Sequence, residues 1–275
     1  MFQYDDCTVL VTCCNLAGGL YRITFKEQSY TIDRILYEDC RGIAQYNDNY
    51  VLASSTNGIL LLNNNLYETK RNQPEADLDF HGVAVHDGKA YIVETSRNTI
   101  GIYSLPDLIR IGEINISPEE TNTKHINDIC IINKSIYLTM FCKHGEWREA
   151  TTFSGVLMEY SLIDDKPPKT HFSWLKQPHS VVVDNGRILY CNSAGFEVKE
   201  NANVIFCGLG YTRGLATKND LLYIGQSQSR HFEVLLEKRT NISLDCGIHV
   251  FNYKQKLSRF IPLPSEEVYG ILVIK

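Results

Sequence analysis

The sequence predicts an all-β chain: a six-bladed β-propeller of four-stranded blades, closed by pairing its C-terminal strand with N-terminal strands. Three observations predict it. A pattern recurs along the chain: a polar residue, a small residue, then two short β-rich runs. Hairpin-type turns separate those runs. The last copy is cut short, and the N-terminus supplies what it lacks. Units of about 40 residues with four short strands are the signature of propeller blades.

The copies begin at Arg41 (RGIAQYNDNYVLASS), His81 (HGVAVHDGKAYIVETS), His125 (HINDICIINKSIYLTMF), His179 (HSVVVDNGRILYCNS) and Arg213 (RGLATKNDLLYIGQS). The sixth is the short run from Tyr269 to Lys275. Thr8–Thr12, Leu20–Ile23 and Thr31–Ile35 read as the second, third and fourth strands of that copy. Asp87-Gly88, Asn185-Gly186 and Asn219-Asp220 mark the first hairpins, because these residue types tolerate the positive φ that tight β-turns demand. Thr99–Tyr103 and Gly247–Phe251 read as third strands. Ring closure removes the long exposed edges of an open sheet and makes residues 1–275 one domain. Two blades carry insertions between second and third strands, at Cys142–Ser154 and Ser227–Cys246, and Phe232–Lys238 reads as a short helix within the latter.

The bulk composition fits a folded globular chain. The net charge is −5 and there is no basic run, which argues against nucleic-acid binding. No apolar run reaches the length of a membrane-spanning helix. The first residues, Met1 to Asp6, lack a basic-then-apolar leader, so a cytoplasmic location is expected. Nine cysteines without a Cys-x-x-Cys pair read as reduced thiols. There is no phosphate-binding loop, dinucleotide fingerprint or G-x-S-x-G elbow, so no organic cofactor is expected. Cys13-Cys14 is a weak nucleophile candidate.

The first strand of a blade lines the central channel. The repeat therefore places Arg41, His81, His125, His179, Arg213 and Tyr269 around one channel mouth. Loops between second and third strands open on the same face and bring Glu94, Thr95, Arg97, Asn192, Ser193, Gln226 and Ser227 to its wall. The insertions add His144, Glu146, Arg148, Arg230 and His231. Neutral imidazoles are common metal ligands, and three with an open position suit a catalytic divalent ion, Zn, Ni, Fe or Mn. His81, His125 and His179 are the expected ligands. Arg41 and Arg213 offer rigid forks for an anionic group. Salt bridges to Asp39 or Asp128 are the structural alternative. Asn192 and Gln226 are candidate substrate contacts, and Tyr269 or Glu94 the candidate proton-transfer groups. His86, His171 and His249 fall outside the register and read as surface or packing residues.

Asn127-Asp128-Ile129 and Gln177-Pro178-His179-Ser180-Val181 resemble two motifs, N-D-I and R-P-H-S-P, of an uncharacterised bacterial six-bladed β-propeller family. Here Gln replaces Arg and Val replaces the last Pro of the second motif. The resemblance implies the fold and no activity. In constellation alone, three axial histidines with Arg and Tyr resemble the site of the propeller lyase that cleaves peptidyl-hydroxyglycine.

The sequence thus leads to a metal-dependent propeller enzyme of lyase or lactonase (hydrolase) type. Its expected substrate is small, anionic or carbohydrate-derived, and binds at the central channel. The other reading is a non-catalytic module gripping a protein or glycan with Trp147, Arg148, Arg230 and Phe232.

Overall fold

A computed structural model describes residues 2–119, 121–150, 152–164, 166–228 and 241–274. The expected Arg230, His231 and the helix over 232–238 lie outside them.

Six four-stranded antiparallel sheets form a ring. Blade 1 joins β24 (Glu267–Ile274) to β1 (Cys7–Cys14), β2 (Gly19–Lys26) and β3 (Ser29–Leu36). Blade 2 is β4–β7, from Ile43 to Asn72; blade 3 is β8–β11, from Phe80 to Asn115; blade 4 is β12–β15, from Ile126 to Leu175. Blade 5 is β16–β19, from Pro178 to Cys207, and blade 6 is β20–β23, from Tyr211 to Pro262. The closure is the predicted one: Thr8 pairs with Ile274 and Val11 with Ile271. Among the described residues, helical structure is limited to short 3-10 turns at Thr95–Arg97 and Ser193–Gly195. No described helix is long and apolar enough to cross a membrane.

Burial follows position in the blade. Second and third strands are packed on both faces: Leu60 of β6 (Gly58–Leu62) and Ile92 of β9 (Lys89–Glu94) are fully buried. Such strands read as continuous apolar runs rather than alternating ones. Outer strands are wet and charged, as in Glu68-Thr69-Lys70-Arg71-Asn72, a composition that discourages edge-to-edge pairing. The cores lie between blades. Val51, Ile59 and Leu61 of blade 2 pack with Val83, Ile92 and Tyr103 of blade 3. The hairpins at Asp87-Gly88 and Asn185-Gly186 have positive φ at both residues, as their turn type requires.

The small residue of each repeat is explained at the axis. A Cβ on Gly42 would lie 2.4 Å from the His81 carbonyl oxygen, and one on Gly82 would lie 2.8 Å from that of Asn127. Inner strands meet there, so a side chain has no room. Asp128 and Ser180 stand in place of glycine in blades 4 and 5. Asp128 Oδ2 accepts from the Ser180 N–H at 2.8 Å, and Ser180 Oγ accepts from the Gly214 N–H at 2.8 Å. This hydrogen-bonded chain ties blades 4, 5 and 6 around the channel.

A candidate site at the channel mouth

Strand register decides which side chains form the ring. The inner strands of blades 3 to 6 carry a bulge at or just after their polar residue. Regular pairing then resumes at Val83↔Ile92, Ile129↔Leu138, Val181↔Tyr190 and Leu215↔Ile224. The residue two places earlier is His81, Asn127, His179 and Arg213 respectively. The ring is therefore Arg41, His81, Asn127, His179, Arg213 and Tyr269. His125 is not the equivalent of His81. It sits two residues upstream, with φ +48°. The apolar run Ile129-Cys130-Ile131 aligns with Val83-Ala84-Val85 and carried the signal for this placement.

Asn127 is fully buried. Its Nδ2 donates to the His125 carbonyl oxygen at 3.0 Å, which turns its Oδ1 toward His81 Nδ1 at 3.1 Å. His81 therefore carries its proton on Nδ1. The Nε2 end lies 3.4 Å from Asp79 Oδ1 and is where a second proton would bind. Burial and the nearby Arg41 charge push this ring down to about 4, so it is neutral at physiological pH. Burial would raise the Asp79 carboxyl, but His81 and Arg41 together hold it well below its ordinary range.

The three histidines are close but do not share one centre. His81 and His125 meet edge to face, with centroids 5.4 Å apart. Phe141 packs on both His125 (4.4 Å) and His179 (5.3 Å). His179 Nδ1 contacts the Gln177 carbonyl oxygen at 3.0 Å and Ser193 Oγ at 2.9 Å. Burial holds His125 and His179 well below the usual imidazole range; His81 adds to the effect on the first and Arg213 on the second. Neutral imidazoles suit metal binding chemically. Their placement does not: among the described residues, no group of three or more His, Cys, Asp or Glu side chains is arranged to hold a metal ion.

Arg41 is held by Asp79 at 2.7 Å and Asp39 at 3.5 Å, so the salt-bridge alternative describes it. Arg213 lies 4.0 Å over the Tyr269 ring and 3.5 Å from Glu267 Oε2. Its Nε is buried without a hydrogen-bond partner. Tyr269 is fully buried and donates from its hydroxyl to the Asn127 carbonyl oxygen at 3.3 Å. Blades 1 and 4 lie opposite one another, so this bond spans the channel.

Other expected site residues serve their own blades. The Glu94 carboxylate accepts from Tyr103 Oη at 2.7 Å, Thr99 Oγ1 at 2.9 Å and both Nε and Nη2 of Arg110. It is locked inside blade 3 and does not face the histidines. Asn192 links the Lys176 N–H to Glu197, and Gln226 links the Leu209 N–H to the Asp245 carbonyl oxygen. Cys14 donates to Glu267, and burial pushes its thiol up to about 12, so it is not a thiolate. His249 packs on Phe206 and Phe260, and His171 pairs with Glu159.

Blade 4 departs from the repeat. At the end of the second strand, in equivalent register, stand Ser55, Thr95, Ser193 and Ser227 in blades 2, 3, 5 and 6 and Cys14 in blade 1, but Phe141 here. The 142–154 insertion then lays Trp147 against His125, at 4.5 Å. A cleft of about 650 Å³ opens beside them, lined by Phe141, Trp147, Arg148, Phe153 and Gln177. A concavity of about 850 Å³ over Arg97, Glu113 and Asn115 contains none of the ring residues and has no comparable chemistry.

The family model for DUF4915, a domain of unknown function, matches residues 1–275. The chain belongs to this family. Among curated proteins nothing matches. Solved structures similar to this member of the family share its propeller fold. One is a chain of the nidogen/laminin complex, with TM-score 0.71, 9% identity and 97% of each chain covered. Another is a protein of unknown function from Bacteroides caccae, with TM-score 0.67, 13% identity and 98% and 99% covered. A third is virginiamycin B lyase from Staphylococcus aureus, with TM-score 0.54, 13% identity and 84% and 73% covered. At such identities the likeness is one of fold, and it spans enzymes and binding proteins alike.

Proposed function

We propose that this propeller is an enzyme of lyase or lactonase (hydrolase) type, acting on a small anionic or carbohydrate-derived substrate at the channel mouth. One observation carries the reading: the half-buried His125, a neutral imidazole, packs against Phe141 and Trp147, which line a cleft on the loop face. A neutral imidazole with access to substrate takes a proton from carbon or from an attacking water and returns it to the leaving oxygen. His125 has that role. Arg213, with its unpartnered Nε, supplies positive potential for the developing negative charge. Tyr269 and Arg41 position the ring and stay out of the chemistry. The steps are assigned to side chains alone, since among the described residues no three His, Cys, Asp or Glu side chains are arranged to hold a metal ion.

The test is turnover of sugar lactones and acidic lyase substrates by the wild type and His125→Ala. A loss of about 10²–10⁴ in kcat is expected, and an unchanged kcat would end the proposal. Elemental analysis beside a His81, His125, His179 triple alanine variant addresses the metal separately. Near-stoichiometric Zn, Ni, Fe or Mn, lost in the variant, would replace this mechanism by a metal-dependent one.

A binding module for a protein or glycan is the second reading. It is favoured by Leu16, Leu209, Leu244 and Phe153, which stand exposed on loops of the same face.

A further inference from the structure

We propose that the cleft over blade 4 selects the substrate and takes a cyclic sugar acid, with Arg148 on its carboxylate. This rests on the small-molecule reading of the loop face and names the class of substrate. The guanidinium of Arg148 lies 4.6 Å over the Trp147 ring. Its hydrogen bond goes to the Asn122 carbonyl oxygen at 3.3 Å, and no carboxylate of the described residues pairs with it. It is a cation held in place on an aromatic face, with no counter-charge among the described residues.

Phe141, Trp147 and Phe153 give the cleft its apolar surface, which suits the C–H faces of a pyranose. Thr152, Ser154 and Gln177 add polar groups along it. A sugar's hydroxyls find partners there that a benzene ring has no use for. The volume, about 650 Å³, is in the range of small-molecule pockets. His125 packs against Phe141 and Trp147, two of the residues that line the cleft, and so stands behind its aromatic wall.

The experiment titrates D-glucuronate into the full chain by calorimetry and by tryptophan fluorescence. The chain has two tryptophans, and Trp174 is 75% exposed, so Trp174→Phe leaves Trp147 as the reporter. Saturable glucuronate binding with a change in Trp147 emission is expected. Glucose and benzoate, each lacking half of the recognised chemistry, are expected to bind at least about tenfold more weakly. Arg148→Ala should cost about tenfold or more in affinity, and Arg148→Lys should recover part of it. Arg148 is exposed, so thermal unfolding should be unchanged in both variants. Benzoate binding as well as glucuronate, equal affinity in Arg148→Ala, or no saturable binding would overturn the proposal. Lactone turnover that requires His125 without uronate binding would remove this inference and leave the proton-transfer reading standing.

Discussion

Asn127 accepts from His81 Nδ1 and donates to the His125 carbonyl oxygen, both at about hydrogen-bond distance. It fixes one ring by its side chain and one loop by its partner's backbone. Asn127→Leu keeps the volume but leaves the His81 N–H with no acceptor in a buried place. That should cost about 1–3 kcal/mol, the penalty for an unsatisfied buried donor. Chemical denaturation measures it, and the nitrogen shifts of the imidazole report loss of the fixed Nδ1 tautomer. Unchanged stability and shifts would mean that water or another group already serves His81. The residue types of the ring were legible in sequence because a polar residue before a small one recurs. The exception was blade 4, where His125-Ile126-Asn127-Asp128 offers three polar residues and no glycine. The eye aligns His125 with its counterparts, while the bulge in β12 (Ile126–Ile132) selects Asn127.

At the scale of the element, blade 4 is the one that breaks the common pattern, and it breaks it in linked ways. A small hydroxyl residue becomes Phe141, the following loop lengthens, and Trp147 comes down on His125. Phe141→Ser restores the hydroxyl residue type of blades 2, 3, 5 and 6. It removes a ring packed against His125, Trp147 and His179. Phe141 is half-buried, so the loss should be about 2–3 kcal/mol, below that of a full core cavity. Trp147 emission should shift to the red as its support goes. A variant with wild-type stability and emission would show that the insertion holds itself in place. Strand order and turns were readable because hairpin residues and apolar runs are local signals. Arg110 meeting Glu94, or Asp79 meeting Arg41, depends on how neighbouring strands and blades pack, and no spacing along the chain encodes that.

Over the whole molecule, the ring of blades takes the His81 and His179 imidazoles out of water and half-buries those of His125 and His249. Burial pushes His81 and His249 down to about 4, and it holds His125 and His179 well below the ordinary value. In the unfolded chain all four titrate near pH ~6.5. As pH falls below that value the unfolded state takes up protons that the folded state refuses, so folding loses free energy. The loss accumulates down to the folded pKa values and stops below them. Each refused proton contributes a slope of about 1.4 kcal/mol per pH unit. Asp79, whose pKa is depressed, adds to the loss only as pH drops below the ordinary carboxylate value. Asp128, raised by burial, takes up its proton above that value and offsets part of the histidine loss. Four histidines against one such carboxyl leave the net slope between about pH 6.5 and 4 to the histidines. Denaturation midpoints at pH 7.5, 6 and 5 should fall steadily, with a slope above that of a single proton. A flat profile from pH 7 to 5 would mean that the channel is wet enough to let its histidines protonate while folded. It would leave His125 with the ordinary imidazole value, still largely neutral at about pH 7, so its proton-transfer role would rest on its place beside Phe141 and Trp147 and not on burial.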